Sequence, residues 1–109
     1  MIRVANAPCS WGILEFAREA SAAPYGTVLD EIRETGYAGT ELGDWGFMPT
    51  DPGRLRDDVA ERGLQLVGAF VPVALAHSKT HDDGVATAVR TARLMHDSGA
   101  REAFIVLSD

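Results

Sequence analysis

Glu34-Thr35-Gly36-Tyr37-Ala38-Gly39-Thr40-Glu41-Leu42-Gly43 decides how this chain folds. Before it, Tyr25, Val28, Leu29 and Ile32 recur at helical spacing, with Asp30, Glu31 and Glu34 on the other faces. That pattern predicts a helix over Tyr25 to Thr35, burying one stripe. Gly36 stands where a helix wants a left-handed residue to stop it. Ala38 to Leu42 then reads as a short strand, and Gly43 opens the next loop. A helix closed by glycine and followed at once by a strand is the αβ half of a βαβ unit.

The same unit recurs on either side. Upstream, Ile2 to Asn6 reads as a first strand, followed by a long loop from Ala7 to Pro24. Downstream, Asp51-Pro52 is a capping side chain followed by proline at the first turn, so a helix is expected to run from there to Arg62. Its inward residues are read as Leu55, Val59 and Ala60, and Gly63 ends it. Gln65 to Val71 follows as a buried strand. After the loop Pro72 to His81, Asp82 or Asp83 is expected to cap a third helix carrying Val85, Ala88, Val89, Ala92 and Met95 on one stripe. Gly99 closes that helix, and Ala103 to Leu107 is the fourth strand. The order is β-α-β-α-β-α-β, with glycine before strands two, three and four. No low-complexity segment or linker interrupts it.

Four parallel strands and three helices fit both an open doubly wound sheet and half of an eight-stranded barrel. A complete barrel takes roughly 200 residues or more, and the chain has 109. The barrel reading therefore carries the expectation that the chain is partial, one partial domain over residues 1–109. A fourth strand without a covering element is also an apolar edge prone to association.

Composition removes several functions. The net charge is −6, and Lys79 is the one lysine among ten basic residues, the others being scattered arginines. No basic stripe exists to replace counterions on a nucleic-acid backbone. The longest apolar run, Leu66 to Leu75, is about ten residues, interrupted by Pro72, and too short to cross a bilayer. Cys9 is the single cysteine, so no intrachain disulfide forms, and a cytoplasmic setting is expected. Neither a Gly-x-Gly-x-x-Gly nor a Walker loop follows a strand, which leaves dinucleotide and triphosphate sites without support.

In parallel sheets the ligand site lies at the carboxyl ends of the strands. Strand one delivers Asn6, followed by Cys9, Ser10 and Trp11. Strand two delivers Glu41, ahead of Asp44 and Trp45. Strand three leads to His77, and strand four to Ser108 and Asp109. Hydrogen-bonding groups beside aromatic rings suit a small polyhydroxylated ligand. Glu41 is the strongest candidate, because a parallel strand is normally covered on both faces and a charge within it needs a reason. Asn6 has a plainer role open to it, closing the loop backbone, as Trp11 has in loop packing. His77 and His81 are four apart, but without a companion carboxylate a substrate contact by His77 is the better reading.

Val4-Ala5-Asn6-Ala7-Pro8-Cys9-Ser10-Trp11-Gly12, Thr35 to Gly43, and Val67-Gly68-Ala69-Phe70-Val71-Pro72 resemble the inosose dehydratase branch of the xylose-isomerase-like barrels, the sugar phosphate isomerase/epimerase group. The resemblance covers essentially the whole chain. It implies the first half of a (β/α)8 barrel and an enzyme that removes a proton beside a carbonyl on a sugar or cyclitol. It also implies a divalent metal (Mn, Co, Mg or Zn) held by later strands in a full-length parent, with none bound by this chain alone. Asn6, Trp11, Glu41 and His77 match early rim positions and are assigned substrate contact, with no metal role. Other readings are a small-ligand or regulatory α/β module complete at this length, and a half-barrel that dimerises. A homo-oligomer is therefore allowed, while nucleic acid and membrane are not expected partners.

Overall fold

A computed structural model describes residues 1–13 and 23–109. The middle of the loop expected over Ala7 to Pro24 lies outside the described residues. The elements are β1 (Ala5–Asn6), a 3-10 turn (Pro8–Trp11), α1 (Tyr25–Glu34), β2 (Gly39–Glu41), α2 (Pro52–Ala60), β3 (Gln65–Pro72), a second 3-10 turn (Ser78–Thr80), α3 (His81–Asp97) and β4 (Phe104–Ser108). All pairings are parallel, in the order β1-β2-β3-β4.

That order separates the two architectures the sequence left open. A doubly wound sheet reverses direction at a switch point. Here every step goes the same way, so right-handed crossovers put all three helices on one face. This is an α/β fold with the winding of the first half of a (β/α)8 barrel.

The core lies between that face and the helices. Val28, Leu29 and Ile32 of α1, Leu55 and Val59 of α2, and Leu94 and Met95 of α3 pack against Leu42, Leu64, Leu66 and Ala69. Helix termini follow their local chemistry. Asp51 Oδ2 accepts the Arg54 amide at 2.8 Å with Pro52 at the first turn of α2, and Gly36 stops α1 at φ +95°. Tyr25 donates its hydroxyl to Asp58 Oδ2 at 2.8 Å, and Arg62 Nε reaches Asp30 at 2.6 Å, tying α1 to α2.

β3 alternates in two phases. Leu64 and Leu66 are buried with Gln65 and Val67 exposed; beyond Gly68, Ala69, Val71 and Val73 are buried while Phe70 and Pro72 are less so. The phase changes where the register slips: Thr40 pairs with Leu66 but Glu41 with Gly68. A bulge thus adds one residue to β3 and keeps its later apolar side chains under α3.

Several details differ from the sequence reading, and β1 begins at Ala5 rather than Ile2. α3 begins at His81, with Asp82 and Asp83 in its first turn and Thr80 at the cap position. Its buried face is Gly84, Thr91, Leu94 and Met95, while Val85 and Val89 are exposed. Counting apolar residues misplaced the stripe because its inward positions are small or hydroxylated. Thr91 donates to the Thr87 carbonyl at 2.9 Å and Ser98 to that of Met95 at 2.8 Å, so the helix satisfies its own buried hydroxyls. At Gly84 a Cβ would come within 2.4 Å of Val73 Cγ1. Ala60 of α2, expected inward, is exposed.

Candidate functional site

The carboxyl ends of the four strands bring the loops after β1, β2 and β3 to one end of the sheet. Asn6 ends β1. Its Oδ1 accepts the Ala7 amide and the Ser10 hydroxyl, both at 2.8 Å, which folds the following turn. Pro8 is buried in that turn. Gly43, at φ +76°, lies beneath it: a Cβ there would meet Pro8 Cγ at 3.2 Å and Phe47 Cδ1 at 3.3 Å. Packing at glycine therefore joins the loops after β1 and β2. Trp11 donates its indole N–H to Glu31 of α1 and packs against the core.

Glu41 ends β2. Thr40 and Leu42 on either side are buried toward the helices, so alternation turns Glu41 to the open face. It is half-buried, and among the described residues its carboxylate has no ion-pair partner. Asn6 pairs in register with Thr40, which puts it on the helix side of the sheet and Glu41 on the other.

Beyond β3 the loop is tied down by its own groups. Thr80 donates to the carbonyls of Ala74 and His77, and His81 Nε2 donates to that of Leu75 at 2.9 Å. The Val73 amide reaches the Ser108 carbonyl at 2.8 Å, and the Ala76 amide reaches Asp109 Oδ2 at 3.2 Å, so the end of β4 anchors the same loop. His77 is exposed at its tip. Among the described residues no three His, Cys, Asp or Glu side chains converge as a metal-binding group.

A cleft of about 240 Å³ opens at this end, between the loop after β2, the end of β3 and α3. Asp44 lines it, and burial pushes its carboxyl above the ordinary carboxylate range. Across it, the Arg90 guanidinium carbon lies 4.0 Å from the centroid of the Trp45 ring. Arg90 had no sequence signal, since nothing local links residues 45 and 90. A larger hollow, about 690 Å³, sits at the opposite end of the strands among Val59, Leu64, Ala100 and Phe104. It faces away from the strand ends where parallel sheets place their chemistry, and it is not the candidate site.

Strand winding and rim together define a half-barrel whose polar groups gather at the carboxyl end. The chain is similar to inosose dehydratases. It is 27% identical to that of Geobacillus kaustophilus (strain HTA426) over 103 residues, 94% of this chain and 33% of the relative. It is 28% identical over 88 residues to those of Salmonella agona (strain SL483) and Salmonella typhimurium (strain LT2), 81% of this chain and 27% of each relative. The chain thus spans a third or less of the length of these relatives. No known family model matches it, and no solved structure does. Among the described residues no helix is long and apolar enough to cross a membrane.

Proposed function

We propose that this chain supplies the amino-terminal half of the barrel in an enzyme that acts on a small polyhydroxylated ketone, of the sugar isomerase, epimerase or inosose dehydratase kind. The supporting observation is Glu41: a half-buried carboxylate at a strand's carboxyl end, turned to the open face, without an ion-pair partner among the described residues. Where further strands close over the open face, a carboxylate in that position is costly unless something donates to it, and ligand hydroxyls would. The similarity to inosose dehydratases over most of the chain supports the choice of substrate class.

In this reading Glu41 accepts hydrogen bonds from substrate hydroxyls and fixes the sugar or cyclitol in the mouth. His77 contributes from the loop after β3. Asn6, on the helix side of the sheet, and Trp11, packed against α1 and the core, serve this site only by holding the turn after β1. The reaction class is proton removal beside a carbonyl. A divalent metal belongs to the whole enzyme in this reading, but no converging donor set among the described residues fits it, and no step is assigned through it.

Glu41→Gln in the full-length protein, assayed on an inosose, tests the reading. An orienting contact is made equally in ground and transition states, so KM should rise about tenfold or more with kcat little changed. A fall in kcat of roughly 10²-fold would instead make Glu41 a proton-transfer group. Both constants unchanged would remove Glu41 from the site.

A further inference from the structure

Among the described residues, the loop after β2 is the least tied of the three at the mouth. The loop after β1 is closed by two bonds to Asn6, and the loop after β3 by Thr80, His81 and the end of β4. The loop after β2 has a fixed base: Gly43 lies against Pro8 and Phe47, and Met48 is buried. Its tip is different. Among the described residues the one hydrogen bond made by Asp44, Trp45 or Gly46 stays inside the loop, from the Phe47 amide to the Asp44 carbonyl at 3.0 Å. A Cβ added at Gly46 would meet nothing within 4 Å, and Trp45 is exposed. The cleft separates this tip from α3. Arg90 crosses the gap, its guanidinium carbon 4.0 Å from the centroid of the Trp45 ring.

We propose that Arg90 is a positioning residue: from α3 it struts the tip of the loop after β2 and holds that side of the mouth ready for substrate. The inference rests on the function proposed above and adds how the loop that follows Glu41 is held. A guanidinium stacks flat on an aromatic face, which fixes the ring without filling the space beside it. An exposed contact of this kind adds little to global stability. Its effect falls on a local equilibrium, between the strutted tip and tips that have swung away. Substrate binds the strutted form, so apparent affinity falls with the fraction of molecules in that form. Once substrate is bound the tip is in place, whichever side chain stands at position 90, and turnover is unaffected. The strength of exposed contacts of this type corresponds to about two- to fivefold in that equilibrium.

Acrylamide quenching of tryptophan emission reads the tip directly in the 109-residue chain, with Trp45→Phe used to subtract the signal of Trp11. Arg90→Met keeps an unbranched apolar stem without the charge and should raise the quenching constant of Trp45 about twofold or more. Arg90→Lys keeps a cation and should restore part of the protection. Raising salt should leave the parent's quenching unchanged, because the strut is not an ion pair. Arg90 is exposed, so each variant should fold, which circular dichroism checks. In the full-length protein assayed on an inosose, Arg90→Met should raise KM about two- to fivefold with kcat little changed, and Arg90→Lys should raise it less. A merely structural role would lower the melting temperature and leave the KM of the folded enzyme alone. Unchanged quenching in Arg90→Met, a KM at the parent value despite increased quenching, or equal effects of Arg90→Met and Arg90→Lys would each overturn the proposal. Absence of turnover in the parent would instead sink the function proposed above, and the quenching series would still decide whether Arg90 holds the tip.

Discussion

The two faces of the sheet are built for different neighbours. On the helix side, Thr40 and Ala69 are completely buried and Val71 almost so. On the open side of the same strands, Glu41 and Phe70 are half-buried, and Phe104 is 74% and Val106 48% exposed. One face is therefore finished by α1, α2 and α3. The other presents apolar side chains with one carboxylate among them, which is the character of a barrel interior seen from inside: packed side chains below, a polar mouth at the carboxyl ends. A sheet face exists as a surface only relative to what covers it, so energetics can read out whether this one is covered.

The largest contrast comes from deleting equivalent apolar mass on each face. Leu29→Ala removes a fully buried side chain from under α1 and should cost about 2–5 kcal/mol. Phe104→Ser in the 109-residue chain should cost no more than about 0.5 kcal/mol, as exposed positions do. Urea titrations of both variants measure it through their midpoints. If the Phe104 change costs as much as the Leu29 change, the open face of the 109-residue chain is covered in solution by a second copy.

A smaller effect probes backbone approach. Gly39 sits on the open face, where a Cβ would meet the Gln65 carbonyl oxygen at 2.7 Å and Val67 Cγ1 at 3.0 Å. The obstacle is backbone, so Gly39→Ala should force β2 and β3 apart and cost about 1–3 kcal/mol. Gly26, near the start of α1, offers the control. A Cβ there would meet only the end of Arg62 at 3.6 Å, and Gly26→Ala should stabilise by up to about 0.5–1 kcal/mol. Opposite signs in the same denaturation assay would separate conformational freedom from close approach.

Much of this fold can be read locally. Glycine after each helix, the Asp51-Pro52 start and the stripe Val28, Leu29, Ile32 each encode their element within a few residues, and the structure has them in place. Strand order cannot be read that way, because it depends on which edge each crossover joins. The face of α3 escaped for a different reason: Gly84, Thr91 and Ser98 point inward, and their suitability comes from Val73 and from the helix's own carbonyls rather than from hydropathy. At the rim, Glu41 stood out as a charge in an apolar strand. The Arg90–Trp45 contact did not, since it joins α3 to a loop 45 positions earlier. Asn6 illustrates the intermediate case: sequence placed it at a strand end, while its bonds to Ala7 and Ser10 needed the turn to be seen.

The smallest effect concerns Asp44, which sits where the finished and open sides of the molecule meet. Burial raises its carboxyl pKa, so the folded state holds that proton to higher pH than the unfolded state does. Between the ordinary carboxylate value and the raised one, folding takes up protons, and this group's contribution to stability falls as pH rises. Asn cannot ionise and lacks that dependence. Asp44→Asn should therefore be slightly the more stable form at neutral pH, with its advantage shrinking as pH drops toward the ordinary carboxylate range. Partial exposure keeps the effect small. Melting both proteins across that range isolates it, because contributions from distant carboxylates cancel in the difference. The sign carries the information. Were Arg90 to leave Trp45 and pair with Asp44 in solution, the carboxylate would be favoured, and the parent would be the more stable form at neutral pH. That reversal would mean the two charges satisfy each other.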